Sequence, residues 1–213
     1  MHVVITGANR GIGREMASQY SGAGHVVTGT ARDGASEVTL DVTDPDQQAQ
    51  FAAHLGDRPI DLLVCNAGVY LDKGLALEDY TAEIWSQSMA ANVTGVFLTV
   101  QALLPNLRLG TAPKIAIISS QMASHARAPG GSYAYRASKA AVLNLGRNLA
   151  TDLKPEGIAV GIYHPGWVRT EMGGEAGDIS VEESASGLIR EFDALTIEIT
   201  GCFHTWDGRI HAY

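Results

Sequence analysis

Cysteine is scarce, basic charge is thin and long apolar runs are missing from this chain of 213 residues. The two cysteines, Cys65 and Cys202, have no CxxC partner, so neither a disulfide scaffold nor a thiolate zinc site is supported, and no metal ligands are assigned. A reducing cytoplasm is the simple expectation. Lysine and arginine number 15 against 23 acidic residues, a formal net charge of −8, with no basic run. That balance argues against nucleic acid and anionic membrane surfaces as partners. No apolar run approaches the roughly 18–20 residues of a membrane span. Met1–Gly7 is too short for a signal peptide, lacks its basic start and reads directly as a strand. There is no internal repeat, linker or low-complexity stretch.

What is present is a globular composition, 46% hydrophobic and 18% charged, with 24 glycines. The length suits one domain over residues 1–213. Apolar β-branched runs alternate with helical stretches. Strands are expected at His2–Thr6, His25–Ala31, Glu37–Val42, Ile60–Cys65, Lys114–Ser119 and Ile158–Tyr163, with a last one at Ile199–His204. Helices are expected at Gly11–Gly22, Pro45–Leu55, Thr81–Leu107 (irregular near Asn92–Gly95), Gly131–Lys154 and Glu182–Leu195. Asp44 before Pro45 is a helix start, and Ser180 with Glu183 forms a capping box. Repeated strand–helix alternation implies α/β architecture: a single doubly wound parallel sheet of the Rossmann type, with helices on both faces. Ligands in such sheets bind beyond the carboxyl ends of the strands. The irregular segments 122–132 and 168–179 both follow strand ends there. They contain Met122, His125, Arg127, Trp167, Arg169 and Met172, none of which is assigned a role.

The first strand runs into Thr6-Gly7-Ala8-Asn9-Arg10-Gly11-Ile12-Gly13. Gly7 permits the tight turn, Gly11 lets backbone approach a pyrophosphate, and Gly13 permits close helix–sheet packing. The helix start then offers N–H groups and a favourable dipole to phosphate. No Gly-Lys-Ser/Thr follows, so this is not a P-loop. The second strand ends at Ala31-Arg32, where an acidic residue would hold the ribose hydroxyl of NAD. Arg32 and Arg10 suit a 2′-phosphate instead, which favours NADP(H) over NAD(H), unless both are simply solvated. Asp41-Val42 stands where a carboxylate meets an adenine amino group or merely forms a turn.

Tyr135 and Lys139 lie at i and i+4 on one face of an expected helix. A free tyrosine titrates near 10, and a neighbouring ammonium favours the phenolate. Tyr135 is then a candidate general acid for carbonyl reduction, or general base for alcohol oxidation. A helical Tyr and an exposed Lys are commonplace alone; their company gives them meaning. Ser119-Ser120 ends the fifth strand upstream of Tyr135. Asn66-Ala67-Gly68 follows the fourth and can carry backbone close to a cofactor. Asn92 lies mid-helix, where Asn is a poor helix former. Pro165-Gly166-Trp167-Val168-Arg169-Thr170 follows the sixth strand and can line a nicotinamide with Pro165, Gly166, Val168 and Thr170.

Together TGANRGIG at 6–13, CNAG at 65–68, Asn92, Ser120, YRASK at 135–139 and PGWVRT at 165–170 resemble the short-chain dehydrogenase/reductase family, in family order. The runs at 130–139, 165–174 and 200–203 look most similar to its C-factor and carbonyl-reductase-like branch. The resemblance implies a tetrad of Asn92, Ser120, Tyr135 and Lys139. Tyr135 would exchange the proton, Ser120 stabilise the substrate oxygen, Lys139 lower the Tyr pKa and bind the nicotinamide ribose, and Asn92 hold a relay water. It also implies a homodimer or homotetramer. Two departures stand out. Cys65 replaces a commoner Asn, and the interval from Ser120 to Tyr135 is longer than in many members, leaving Ser119 and Ser124 as rivals. Met122 stands where the shorter interval would place the hydroxyl.

The expected function is interconversion of a small carbonyl compound and a secondary alcohol by hydride transfer. The alternative is a cofactor-binding signalling or sensor protein with little catalysis. That alternative would be expected to erode the Tyr/Lys pair, which is intact here. A nucleotide-sugar epimerase or dehydratase is disfavoured, since little chain follows Thr170 to build a substrate domain.

Overall fold

The computed structural model describes residues 1–126 and 128–213; Arg127 lies outside them. Among the described residues, seven strands form one wholly parallel sheet: β1 (His2–Thr6), β2 (Val26–Ala31), β3 (Val38–Thr39), β4 (Leu62–Cys65), β5 (Lys114–Ile118), β6 (Ala159–His164) and β7 (Phe203–Thr205), in spatial order β3-β2-β1-β4-β5-β6-β7. Chain order reverses between β1 and β4, so their carboxyl ends flank the crevice where such sheets bind ligands. β4 and β6 are buried along their whole length. This is the near-continuous apolar pattern of strands covered on both faces.

Alternate residues feed two separate cores. Val4, Leu63, Cys65, Ile115, Ile117 and Val160 pack with Phe51 and Leu55 of α2 (Pro45–Leu55), Val96 to Leu107 of α4 (Gly95–Arg108) and Val142 of α5 (Tyr133–Leu153). Val3, Ile5, Leu62, Val64, Ala116 and Ile118 face the other way. They meet Met16 and Tyr20 of α1 (Gly11–Gly22) and Leu188 and Phe192 of α6 (Val181–Ala194). The side-chain period of two in an extended strand makes this division.

Helix starts follow local chemistry. Asp44 accepts from the N–H groups of Asp46 (2.9 Å) and Gln47 (3.2 Å), with Pro45 opening α2. The Ser180/Glu183 capping box opens α6. The long helix is interrupted as expected: α3 (Ala82–Met89) passes through a π turn at Ala90–Thr94 into α4. The stretch Ala82–Arg108, 27 residues long, contains an 18-residue window with a mean hydropathy of 1.3. By length and composition alone it could cross a membrane, although polar residues such as Glu83, Gln87, Asn92 and Gln101 interrupt its apolar runs. Its apolar side is instead taken up by the sheet, α2 and α5. The sheet edges are shorter than expected. β3 covers only Val38–Thr39 of the expected 37–42, and β7 begins at Phe203 rather than Ile199. Edge strands with one pairing partner have fewer ladder bonds to extend them.

Candidate active site

The turn after β1 has Gly7 and Gly11 at positive φ, 70° and 52°. Gly13 is required by space: a Cβ there would lie 2.2 Å from the Gly7 carbonyl oxygen and 2.5 Å from Asn66 Nδ2. Arg10 precedes α1 without a side-chain cap, and no acidic residue occupies the first turn. The leading N–H groups at Gly11, Ile12 and Gly13 therefore keep their capacity for an anion. Backbone proximity and an uncapped helix start fit a pyrophosphate. Thr6, not singled out by the sequence, braces this turn. Its hydroxyl accepts from the N–H groups of Asn66 (3.0 Å) and Ala67 (3.1 Å), while Asn66 Nδ2 donates to the carbonyls of Thr6 and Gly7, each at 3.0 Å.

At the end of β2, Arg32 is exposed. Arg10 pairs with Glu171 at 2.7 Å, both side chains largely in solvent. Asn9 donates to Asp33 at 2.8 Å, and the Ala35 N–H and Arg10 help hold that carboxyl below its ordinary value. Arg10 thus has acidic neighbours in Glu171 and Asp33. Asp41 takes the turn-forming alternative: its Oδ1 accepts from Thr43 N–H (2.9 Å) and hydroxyl (2.7 Å). Val42 is buried against Gly95, where a Cβ would stand 2.7 Å from its Cγ2.

Beyond β4, β5 and α5 the remaining residues converge. Ser120, Tyr135 and Lys139 are all buried, at 7%, 8% and 6% exposure. Ser119 instead donates to the Lys139 carbonyl at 3.1 Å, and Ser124 to the Tyr213 carbonyl at 3.3 Å. Of the three serine hydroxyls, Ser120 is the one close enough to the Tyr135 phenol to lower its pKa. Lys139 Nζ donates to the Ile118 carbonyl at 2.9 Å and lies 5.6 Å from the Tyr135 ring centre. Burial pushes Lys139 down to about 8. Burial raises Tyr135 above its ordinary value, reinforced by Tyr70 and Asp72 and opposed by the Ser120 hydroxyl. This is opposite in direction to the lowering expected from Lys139, because desolvation disfavours a buried phenolate more than nearby polar groups favour it.

Asn92 sits in the π turn, fully buried. Its Nδ2 donates to the Val69 carbonyl and Ser138 hydroxyl, each at 2.9 Å, and its Oδ1 accepts from Val69 N–H at 2.8 Å. It therefore ties the π turn to α5 and to the loop after β4. Gly68 passes beneath it: a Cβ there would be 2.9 Å from Asn92 Oδ1 and 3.6 Å from Lys139 Nζ.

The segment after β6 is a flap closed at its base by the Val168–Ile179 bridge. Ser184 anchors it by donating to the Pro165 carbonyl at 2.6 Å. Thr170 Cγ2 lies 3.6 Å from where a Cβ on Gly11 would stand, so the flap meets the glycine turn. Lys73 reaches its other side, donating to the Met172 and Gly173 carbonyls at 3.2 and 3.4 Å. Arg169 closes the flap internally, donating to the Gly177 carbonyl at 3.0 Å. A cavity of about 300 Å³ adjoins the site, lined by Gln121, His164, Gly166, Trp167, Ile179 and Trp206. A larger groove of about 530 Å³ lies between α5 and the β7 edge, around Arg147, Lys154 and Tyr213. Neither lining includes Asn92, Ser120, Tyr135 or Lys139; the smaller cavity comes nearer the site, through Gln121 next to Ser120 and Gly166 of the segment after β6. Tyr70 was not foreseen either: its ring stacks on Tyr135 at 4.1 Å between centres, 19° from parallel. Its partner lies 65 positions along the chain, and no local pattern links them.

A family model described as short chain dehydrogenase matches residues 1–179. The C-signal protein of Myxococcus xanthus is 38% identical over 161 residues, covering 74% of this chain and 95% of that protein. The 1-hydroxy-2-glutathionyl-2-methyl-3-butene dehydrogenase of Rhodococcus sp. (strain AD45) is 33% identical over 223 residues, covering 97% of this chain and 96% of that one. Among solved structures, NADPH-bound carbonyl reductase from chicken fatty liver superposes with a TM-score of 0.91 at 29% identity, covering 100% and 98% of the two chains.

Proposed function

Given that the chain belongs to the short chain dehydrogenase family, we propose that it is an NADP(H)-dependent oxidoreductase that interconverts a small carbonyl compound and a secondary alcohol. A nicotinamide cofactor, its pyrophosphate held at the glycine turn, would supply or accept the hydride; the chain supplies position, field and the proton. In reduction, the Tyr135 phenol donates its proton to the substrate oxygen as the carbonyl carbon gains hydride. Burial keeps that phenol protonated and ready to donate. Ser120 hydrogen-bonds the same oxygen. Lys139, still mostly protonated at neutral pH with a pKa of about 8, offsets the charge that develops on Tyr135. Asn92 has both amide hydrogens engaged. A relay water would therefore meet its Oδ1 or the carbonyls of the π turn.

The observation that supports this reading is the convergence of Ser120, Tyr135 and Lys139, all buried, where the start of α5 meets the carboxyl end of β5. The site is read as part of one dinucleotide-binding domain. The NADP preference rests on Arg10 and Arg32, with Ala31 where an acidic residue would favour NAD. Trp85 and Phe97, exposed on α3 and α4, support a homodimer or homotetramer through those helices. Cys65 and Cys202 as free thiols agree with a reducing cytoplasm.

The test is turnover of NADPH against a panel of aldehydes, ketones and quinones, followed by cofactor absorbance, with Tyr135→Phe as control. Loss of turnover in the variant is expected; equal rates would refute the assignment. The similarity to C-signal favours one second reading, a cofactor-binding signalling protein. Tight NADPH binding without turnover across the panel would select it.

A further inference from the structure

α5, which carries Tyr135 and Lys139, begins without help from its own sequence. Ser132 precedes it in the left-handed region, φ 48°, makes no side-chain cap, and no acidic residue lies in the first turn. The leading N–H groups are nonetheless met from far away. Ala134 and Tyr135 donate to Asp72 Oδ2 at 2.8 and 3.2 Å, and Tyr133 donates to the Tyr80 hydroxyl at 3.1 Å. Tyr80 in turn donates to the same Asp72 oxygen at 3.1 Å. Asp72 is completely buried, and its Oδ1 has no partner. A charged acceptor at a helix start is favoured by the helix dipole and by the unmet N–H groups.

The loop that delivers Asp72 is fixed at several points. Asn92 holds both backbone groups of Val69. Tyr70 lies face to face with Tyr135, its hydroxyl 2.6 Å from Ser132 Oγ. One short segment, 69–72, therefore grips the backbone and the ring of Tyr135 together.

We propose that Asp72 is a positioning residue for the reaction, clamping the start of α5 so that the Tyr135 phenol faces Ser120, and that its charge helps set the pH at which that phenol exchanges a proton. The proposal rests on Tyr135 being the acid/base. The groups facing Tyr135 are Tyr70 and Asp72 from the loop after β4, Ser120 after β5 and Lys139 on α5. Tyr80 is the titratable side chain bonded to Asp72. Tyr70 and Asp72 raise the Tyr135 pKa, and Ser120 lowers it.

Asp72→Asn keeps an acceptor oxygen and removes the charge; Asp72→Ala removes the clamp. The readouts are kcat, KM and the pH profile of alcohol oxidation in the NADP-loaded protein, with NADPH affinity and Tm alongside. Asp72→Ala is expected to lower kcat at least roughly tenfold with NADPH affinity within about twofold of the parent. Asp72→Asn should restore most of kcat and move the rising limb of the profile down by about half a pH unit or more. If Asp72→Ala does not fold, Asp72→Asn carries the test. Parent-like kcat and an unmoved limb in Asp72→Asn, with Tyr135→Phe inactive, would overturn the Asp72 proposal alone. Loss of Tm in Asp72→Asn with an unmoved limb would likewise reduce Asp72 to a purely structural cap and overturn it. Parent-like turnover in Tyr135→Phe would instead overturn the underlying reading.

Discussion

Gly13→Ala sets helix propensity against space on a single helix. Alanine is the better helix former by about 1 kcal/mol, so propensity alone predicts stabilisation. The added Cβ would lie 2.2 Å from the Gly7 carbonyl oxygen and 2.5 Å from Asn66 Nδ2. A carbon needs more than 3 Å from either atom, so the obstacle must retreat by about 1 Å. The nearest obstacle is backbone, which cannot swing aside as a side chain end would. Overpacking of this kind costs about 1–3 kcal/mol. The retreat also strains the bond from Asn66 Nδ2 to Gly7, worth about 1 kcal/mol. Subtracting the propensity gain leaves a net loss of about 1–3 kcal/mol. The displaced carbonyl belongs to the turn that would cradle the pyrophosphate, so NADPH affinity should fall roughly tenfold or more. Gly22→Ala, in the last turn of the same helix with nothing within 4 Å of its Cβ, is the internal control and should be neutral or stabilising. The assays are urea unfolding and fluorescence titration with NADPH. A Gly13→Ala protein as stable as the parent, with unchanged affinity, would refute the reasoning.

Ser120→Ala should lower kcat about 10²-fold, the scale of a lost donor at a reacting oxygen, whereas Ser119→Ala should cost about 1 kcal/mol of stability and leave kcat nearly intact; steady-state kinetics and urea melts separate them. Lys139→Met should abolish turnover yet raise stability near neutral pH. Burial lowers Lys139 from 10.5 to about 8, a penalty of about 3 kcal/mol for the folded cation. The sign follows: between those values the unfolded chain binds the extra proton, so the parent gains stability as pH rises from 8 toward 10.5. Its deficit against Lys139→Met should shrink across that window in denaturation at fixed pH steps. Arg32→Glu should raise KM for NADPH more than for NADH; equal changes would mean that Arg32 does not meet the 2′-phosphate.

Features with local causes were legible in the sequence. Asp44 before Pro45 and the Ser180/Glu183 pair announce helix starts because their partners lie within three residues. The glycine turn was legible because its residues carry both the conformation and the close approach. Asn92 was flagged as a poor helix residue, and the structure puts a π turn there. Other features depend on distant partners. The hub at Thr6, the stack of Tyr70 on Tyr135 and the cap from Asp72 join segments about 60 positions apart. The upward shift of Tyr135 was missed for a related reason: the i, i+4 lysine is visible in the sequence, but the burial that outweighs it is not.

The division of each central strand between two cores governs where the chain can tolerate change in length. A single residue inserted into β4 would exchange the partners of Leu62 and Val64 with those of Leu63 and Cys65, so both helix layers would lose their fit at once. Lengthening is therefore barred from the strand interiors and confined to the connections beyond their ends. The connections at the carboxyl ends supply Gln121, Gly166, Trp167 and Ile179 to the cavity wall and Lys73 to the flap. Selection can thus remodel what this protein accepts by varying those connections, while the strands that hold them up stay fixed in length.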